Sequence, residues 1–227
     1  MKLLRMTVAV FLSLVFCTAA IAECVQVGPE ICLPLNKYKV PINELPLYGL
    51  VLKTAEQKAA DGKFIEDVLK NQTREESVNR ILGAGWDALN KKDYVIAARR
   101  FNQAFLLDKG DSRIYHAFAI LVSLRWQDLE YAEGLFKLAK RFQNAYPNLN
   151  ADYGRLLLLM NRPKEALPLL EQGVKDAPKT PDAWTNLGFA RLHAGDKKGA
   201  CEAREQALKL DPSIPDAAAL KDRAGCN

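Results

Sequence analysis

The sequence predicts an all-α protein of four helix-turn-helix repeats, preceded by a proline-rich arm and closed by a C-terminal cap helix. Three observations predict it. Small and large apolar residues recur in a 34-residue frame that tiles positions 78–214 without gaps. Each frame splits into two stretches of about 12–15 residues whose apolar positions recur at helical spacing. Four prolines crowd the segment before position 52, where the repeat signal is absent.

The chain opens on what reads as a signal peptide, residues 1–22. Lys2 and Arg5 precede an apolar run from Met6 to Phe16, and Ala20-Ile21-Ala22 supplies the small-x-small pattern expected before a cut at Glu23. That run, about 11 residues, is too short to cross ~30 Å of hydrocarbon as a helix; an uncleaved anchor is the alternative. Phe16 is bulky where a lipobox ending at Cys17 needs a small residue. The expected mature chain is exported, to the periplasm or beyond. It carries a formal charge of +3, the full +5 less Lys2 and Arg5. No concentrated basic stripe of the kind nucleic-acid binders use is present. No second apolar segment approaches membrane-spanning length.

Cys24, Cys32, Cys201 and Cys226 remain after cleavage, an even count that in an exported chain reads as disulfides with three possible connectivities. Spacing favours local pairs. Gly28-Pro29 turns the chain between Cys24 and Cys32. A helix from Cys201 to Leu210 rises about 14 Å, and a cap helix from Pro215 returns a similar distance, bringing Cys226 beside Cys201. A metal site is the weaker reading, because there is no CxxC and only two histidines.

Residues 23–77 form the arm and a leading helix. Pro29, Pro34, Pro41 and Pro46 keep Glu23–Leu52 extended. Thr54-x-x-Gln57 is a capping box that opens a helix through about Lys70, with Ala55, Ala59, Ile65, Val68 and Leu69 inward; Gly62 weakens it and is a place for it to split. Thr73-x-x-Glu76 is a second capping box, and Asn71-Gln72-Thr73 is a glycosylation sequon wherever the host uses one.

The repeats follow as 78–111, 112–146, 147–180 and 181–214, with the cap at 215–227. The last unit places Trp184, Leu187 and Gly188 on its first helix, Ala200 and Ala207 on its second, and Pro212 at its end. The third has Tyr153-Gly154, Leu157, Ala166, Leu170, Gly173 and Pro178 at the matching places. The second has Tyr115, Phe118, Ala119, Val122, Ala132, Phe136 and Ala139, with one extra residue in its turn. The first has Ile81, Gly85, Ala88, Tyr94, Ala97, Phe101 and Ala104. Small residues sit where two backbones must approach, and large ones fill the space between crossings. Trp126, in the turn of the second unit, reads either as a packing cover or as a contact residue.

This pattern resembles the tetratricopeptide repeat. The resemblance implies a right-handed superhelix in which the first helix of every unit lines the concave surface, and a role in holding another protein or peptide. The exposed stripe it implies is Asn79, Leu82, Trp86, Leu89 and Asn90, then Arg113, His116, Ile120, Ser123 and Leu124, then Asn148, Ala151, Arg155, Leu158 and Leu159, then Asp182, Thr185, Phe189, Leu192 and His193. The candidate partner-binding residues are Trp86, Asn90, Arg113, His116, Arg155, Asn186, Phe189 and His193. Trp86 and Phe189 are apolar anchors, Arg155 is a clamp, and the two imidazoles, titrating near ~6.5 when unperturbed, tune binding with pH. Some members of that family capture acidic C-termini with a Lys/Asn/Arg clamp. The matching places here hold Leu82, Trp86, Ala117, Asn148 and Asp152, so that capture is not expected.

Catalytic motifs are lacking: there is no GxSxG, P-loop, HExxH or GxGxxG. Neither catalysis, a cofactor nor a metal is expected. Two alternatives stay open. The arm lies in the groove as an internal ligand, or the repeats assemble with copies of themselves into a larger structure.

Overall fold

The computed structural model describes residues 24–226. The expected signal peptide and its cleavage site lie outside them. The arm corrects the all-α expectation, because it begins with a two-stranded antiparallel hairpin, β1 (Cys24–Gly28) and β2 (Ile31–Pro34). Glu30 takes the left-handed turn conformation at φ 58°, and Cys24 and Cys32 are joined with Cα atoms 5.6 Å apart. Pro34 stands at the hairpin's end, where a missing N–H costs no central ladder bond.

Beyond the hairpin the arm coils into two short 3-10 turns, Ile42–Glu44 and Pro46–Leu50. Leu47 and Tyr48 both hold positive φ, 54° and 55°, a left-handed conformation that disfavours non-glycine residues. One buried side chain holds it. The Asn102 amide donates to the carbonyls of Leu45 (2.8 Å) and Asn43 (3.0 Å), and its oxygen accepts from the Tyr48 N–H (3.0 Å).

Helix α1 (Ala55–Leu69) starts on the expected Thr54/Gln57 capping box and runs unbroken through Gly62. Its inward face differs from the expected one. Ala55 and Ala59 are exposed, while Phe64, Ile65, Val68 and Leu69 are half-buried against the core, so only the C-terminal half docks.

Four antiparallel helix pairs follow. They are α2 (Arg74–Asn90) with α3 (Tyr94–Leu107), α4 (Ser112–Trp126) with α5 (Leu129–Ala139), α6 (Leu149–Leu159) with α7 (Pro163–Asp176), and α8 (Pro181–His193) with α9 (Lys197–Leu210). Helix α10 (Asp216–Ala224) closes the array against α8 and α9. Local chemistry sets most starts: Thr73 forms a full capping box with Glu76, and Asp93, Asp111, Asp128 and Asp196 each accept a backbone N–H of the following turn. Small residues make the close crossings possible. A Cβ on Gly173 would stand 2.7 Å from the backbone nitrogen of Ala151, and one on Gly154 would stand 2.5 Å from Leu170. Between crossings the core is aromatic: Phe101, Phe118 and Phe136 are fully buried, Phe101 meets Phe118 edge-on at 5.7 Å, and Phe136 stacks on Tyr153 at 5.3 Å.

The arm packs on the second helices α3 and α5 and on the C-terminal end of α4. Leu33 is fully buried and reaches Gly134 of α5; Tyr38 stacks on Trp126 at 3.9 Å and donates to Asp128 at 2.6 Å. Trp126 is therefore a packing cover. Glu44, 6% exposed, accepts from Arg125 (2.9 Å) and Arg99 (3.0 Å). The Arg125 hydrogen bond, helped by Arg99, holds its carboxyl below the usual range against the opposing pull of burial. At the other end Cys201 of α9 is joined to Cys226, with Cα atoms 5.5 Å apart.

Candidate functional site

The first helices α2, α4, α6 and α8 present a face that the arm leaves uncovered. Along it lie three adjoining depressions. The central one, about 300 Å³, sits between α4 and α6, with Ile120 and Leu124 on one wall and Arg155, Leu156 and Leu159 on the other. Leu124 is 52% exposed and Leu159 63% exposed, so two large apolar side chains border this cavity and face water. Single exposed leucines need no explanation; a pair at the mouth of one cavity is a candidate contact surface.

Toward the N-terminus this cavity continues into an aromatic notch of about 310 Å³ lined by Trp86, His116, Tyr146, Pro147, Asn148 and Asp152. The notch owes its shape to the segment between α5 and α6. Ser112 ties that segment down, its hydroxyl donating to the Ala139 carbonyl (2.7 Å) and its N–H to the Gln143 carbonyl (2.9 Å). Tyr146 then reaches Trp86, whose indole N–H donates to the Tyr146 hydroxyl at 3.3 Å, with the rings at 72°. His116 Nε2 lies 2.9 Å from Asp152 Oδ2, and its Nδ1 is buried with no partner among the described residues. Because a carboxylate oxygen accepts, Nε2 is the donor in this contact.

Toward the C-terminus a third depression of about 350 Å³ brings Arg155 and Leu159 together with Asn186, Phe189 and His193 of α8 and Asp216 and Arg223 of α10. The Arg223 guanidinium lies 5.6 Å from the Phe189 ring centre, a cation–π contact that fixes one wall. Arg155 is exposed and forms no ion pair among the described residues.

Six of the eight candidates, Trp86, His116, Arg155, Asn186, Phe189 and His193, line these depressions. Two of the six are buried walls rather than open contacts: Asn186, and His116, whose ring is packed by Trp86, Tyr146 and Phe136. The other two candidates sit elsewhere. Arg113 is held by Asp111 (2.5 Å) and by Asn79 (2.7 Å), in a separate cleft with Arg74 and Glu75. Asn90 is exposed as the last residue of α2 and lines none of the three depressions. The stripe residues Leu82, Leu89, Ala151 and Thr185 are buried core. Helix-face geometry could not find Tyr146, which lies on the inter-repeat segment, nor Asp216 and Arg223 of the cap. Among the described residues, no group of three or more His, Cys, Asp or Glu side chains is arranged to hold a metal ion.

A tetratricopeptide-repeat family model matches residues 147–190, the third unit and most of the first helix of the fourth. The helical array has the tetratricopeptide fold. Solved structures agree. A structure of PilF from Pseudomonas aeruginosa is 20% identical, with a TM-score of 0.59 over 67% of this chain and 71% of that one. One from the Cut9–Hcn1 hetero-tetramer of APC/C is 16% identical, with a TM-score of 0.56 over 75% of this chain but 34% of that one. MamA from Desulfovibrio magneticus RS-1, from residue 41 to its end, is 21% identical, with a TM-score of 0.52 over 65% of this chain and 85% of that one. No curated protein matches the sequence. At these identities the likeness is one of fold. A tetratricopeptide module points to protein–protein interaction, and no described helix is long and apolar enough to cross a membrane.

Proposed function

We propose that this protein is an exported, non-enzymatic adaptor that holds a peptide segment of a partner protein in the concave groove of its tetratricopeptide array. One observation carries this reading. The arm that had the length to occupy the groove packs instead against α3, α5 and the C-terminal end of α4, through Asn102, Glu44 and Trp126, and Leu124 and Leu159 stay open beside Arg155, which forms no ion pair among the described residues. An apolar cavity with a few convergent polar groups suits a peptide bearing one or two buried anchors. Export is supported by Lys2, Arg5 and Ala20-x-Ala22, and two disulfides suit an oxidising compartment. N-terminal sequencing of the native protein should return Glu23; a start at Met1 rejects export.

Photo-cross-linking from defined positions tests the groove. A benzophenone side chain at Leu159 or Phe189 should give discrete cross-linked species in a native envelope extract, while one at Lys137, exposed on α5, should not. Cross-links confined to Lys137 move the partner to the second-helix face. Cross-links joining two copies of this chain make the groove a self-assembly surface.

A further inference from the structure

We infer that the notch formed by Trp86, Tyr146 and Asp152 is a seat for one basic side chain of the bound segment, a lysine or arginine next to an apolar residue that enters the cavity between α4 and α6. This rests on the reading of the groove as the partner site and names the chemistry it selects. Two aromatic rings stand at 72° with centroids 6.1 Å apart, and the His116 ring meets both, at 6.1 and 5.8 Å. Their negative π-faces attract a cation within about 6 Å. The carboxylate of Asp152, with a side chain 32% exposed, supplies a full negative charge at the same place.

The competing contacts leave that charge unspent. His116 meets only Oδ2, through one ring nitrogen, and Oδ1 has no hydrogen-bond partner among the described residues. Arg155, one turn further along α6, forms no ion pair with Asp152 and lines the neighbouring cavity. Arg113, whose guanidinium is 5.8 Å from the Tyr146 ring, is already neutralised by Asp111. The notch and the cavity share Trp86 and Asp152, so the basic and apolar side chains come from neighbouring positions of one segment. This is the reverse of a site for an acidic C-terminus.

The test pans a random peptide display library against the purified protein and against its Asp152→Asn and Leu159→Asp variants. Asn keeps an oxygen that accepts from His116 and removes only the charge. The wild type should enrich Lys or Arg beside an aliphatic or aromatic residue. A selected peptide should bind about tenfold more tightly than its analogue with norleucine in place of lysine, the gain expected of a desolvated cation–π contact with a carboxylate beside it. In Asp152→Asn the apolar enrichment should persist while that ratio falls toward one. Apolar enrichment without a basic preference, or a lysine preference that survives Asp152→Asn, overturns the basic seat and leaves the groove standing. Failure to select any peptide, or selection indifferent to Leu159→Asp, overturns both. The norleucine comparison is made on the wild type, so the inference is decided even where a variant folds poorly.

Discussion

Glu44→Ala should detach the arm from the repeats and destabilise the protein by about 3 kcal/mol. The carboxylate is 6% exposed and bridges two guanidiniums that reach it from α3 and the end of α4. Removing one partner of a buried pair typically costs about 3–5 kcal/mol, because the other charge is left without a counterpart. The two arginines weigh differently. Arg125 has a side chain 14% exposed and already keeps Nη1 buried without a hydrogen-bond partner among the described residues, whereas Arg99, 44% exposed, re-solvates easily. Arg99→Ala should therefore cost less than about 1 kcal/mol, as exposed pairs do. For a chain of this size about 3 kcal/mol lowers Tm by roughly 6–12 °C, readable by circular dichroism. The pH dependence has a definite sign. A carboxyl held below its unfolded value, about 4.3, contributes fully above that pH and loses its contribution as pH falls through the lower folded value. The gap between wild type and Glu44→Gln should thus be open at pH 6 and narrow steadily as pH falls below about 4.3. A Glu44→Ala penalty no larger than that of Arg99→Ala, or one that persists unchanged at pH 3, refutes the reasoning.

Cys226→Ser should lower the urea midpoint by an amount equivalent to about 3.5 kcal/mol, the chain-entropy value for a separation of 25 residues; an unchanged midpoint means the cap does not depend on its staple. Gly173→Ala should destabilise by about 1–2 kcal/mol in thermal melts, since its Cβ meets the backbone of Ala151, which cannot rotate away. Gly83→Ala, where nothing lies within 4 Å, should stabilise by up to about 1 kcal/mol through helix propensity alone. Trp126→Ala should cost about 2–3 kcal/mol from the lost Tyr38 stack yet leave peptide binding in the groove unchanged by isothermal titration. Reduced binding in that variant would reassign Trp126 to the partner surface.

The helices and their pairing were legible in the amino-acid order, because what specifies them is local. Capping residues act three positions away, as Thr73 does on Glu76, and apolar stripes repeat every three or four residues. Gly154, Gly173 and Gly188 marked the crossings, since a missing side chain lets Gly173 and Gly188 approach the backbones of Ala151 and Ala200 and makes room for Leu170 at Gly154. The site was legible in part. Helix-face geometry placed Arg155, Phe189 and His193 on one surface, yet it could not give His116 its depth, which depends on a tyrosine from the segment after α5 and an aspartate from α6.

The tertiary structure alone decided where the arm lies. Its prolines announced an extended segment but not a direction, and the hairpin at its start was missed because register is a cross-strand property. The residues that seat it are remote in the chain: Glu44 meets Arg99 across 55 positions and Arg125 across 81. Such contacts carry no periodicity. Whether a buried carboxylate finds its arginines, or an arm fills a groove or leaves it open, is settled by desolvation and packing between distant segments, and those terms exist only once the chain has folded.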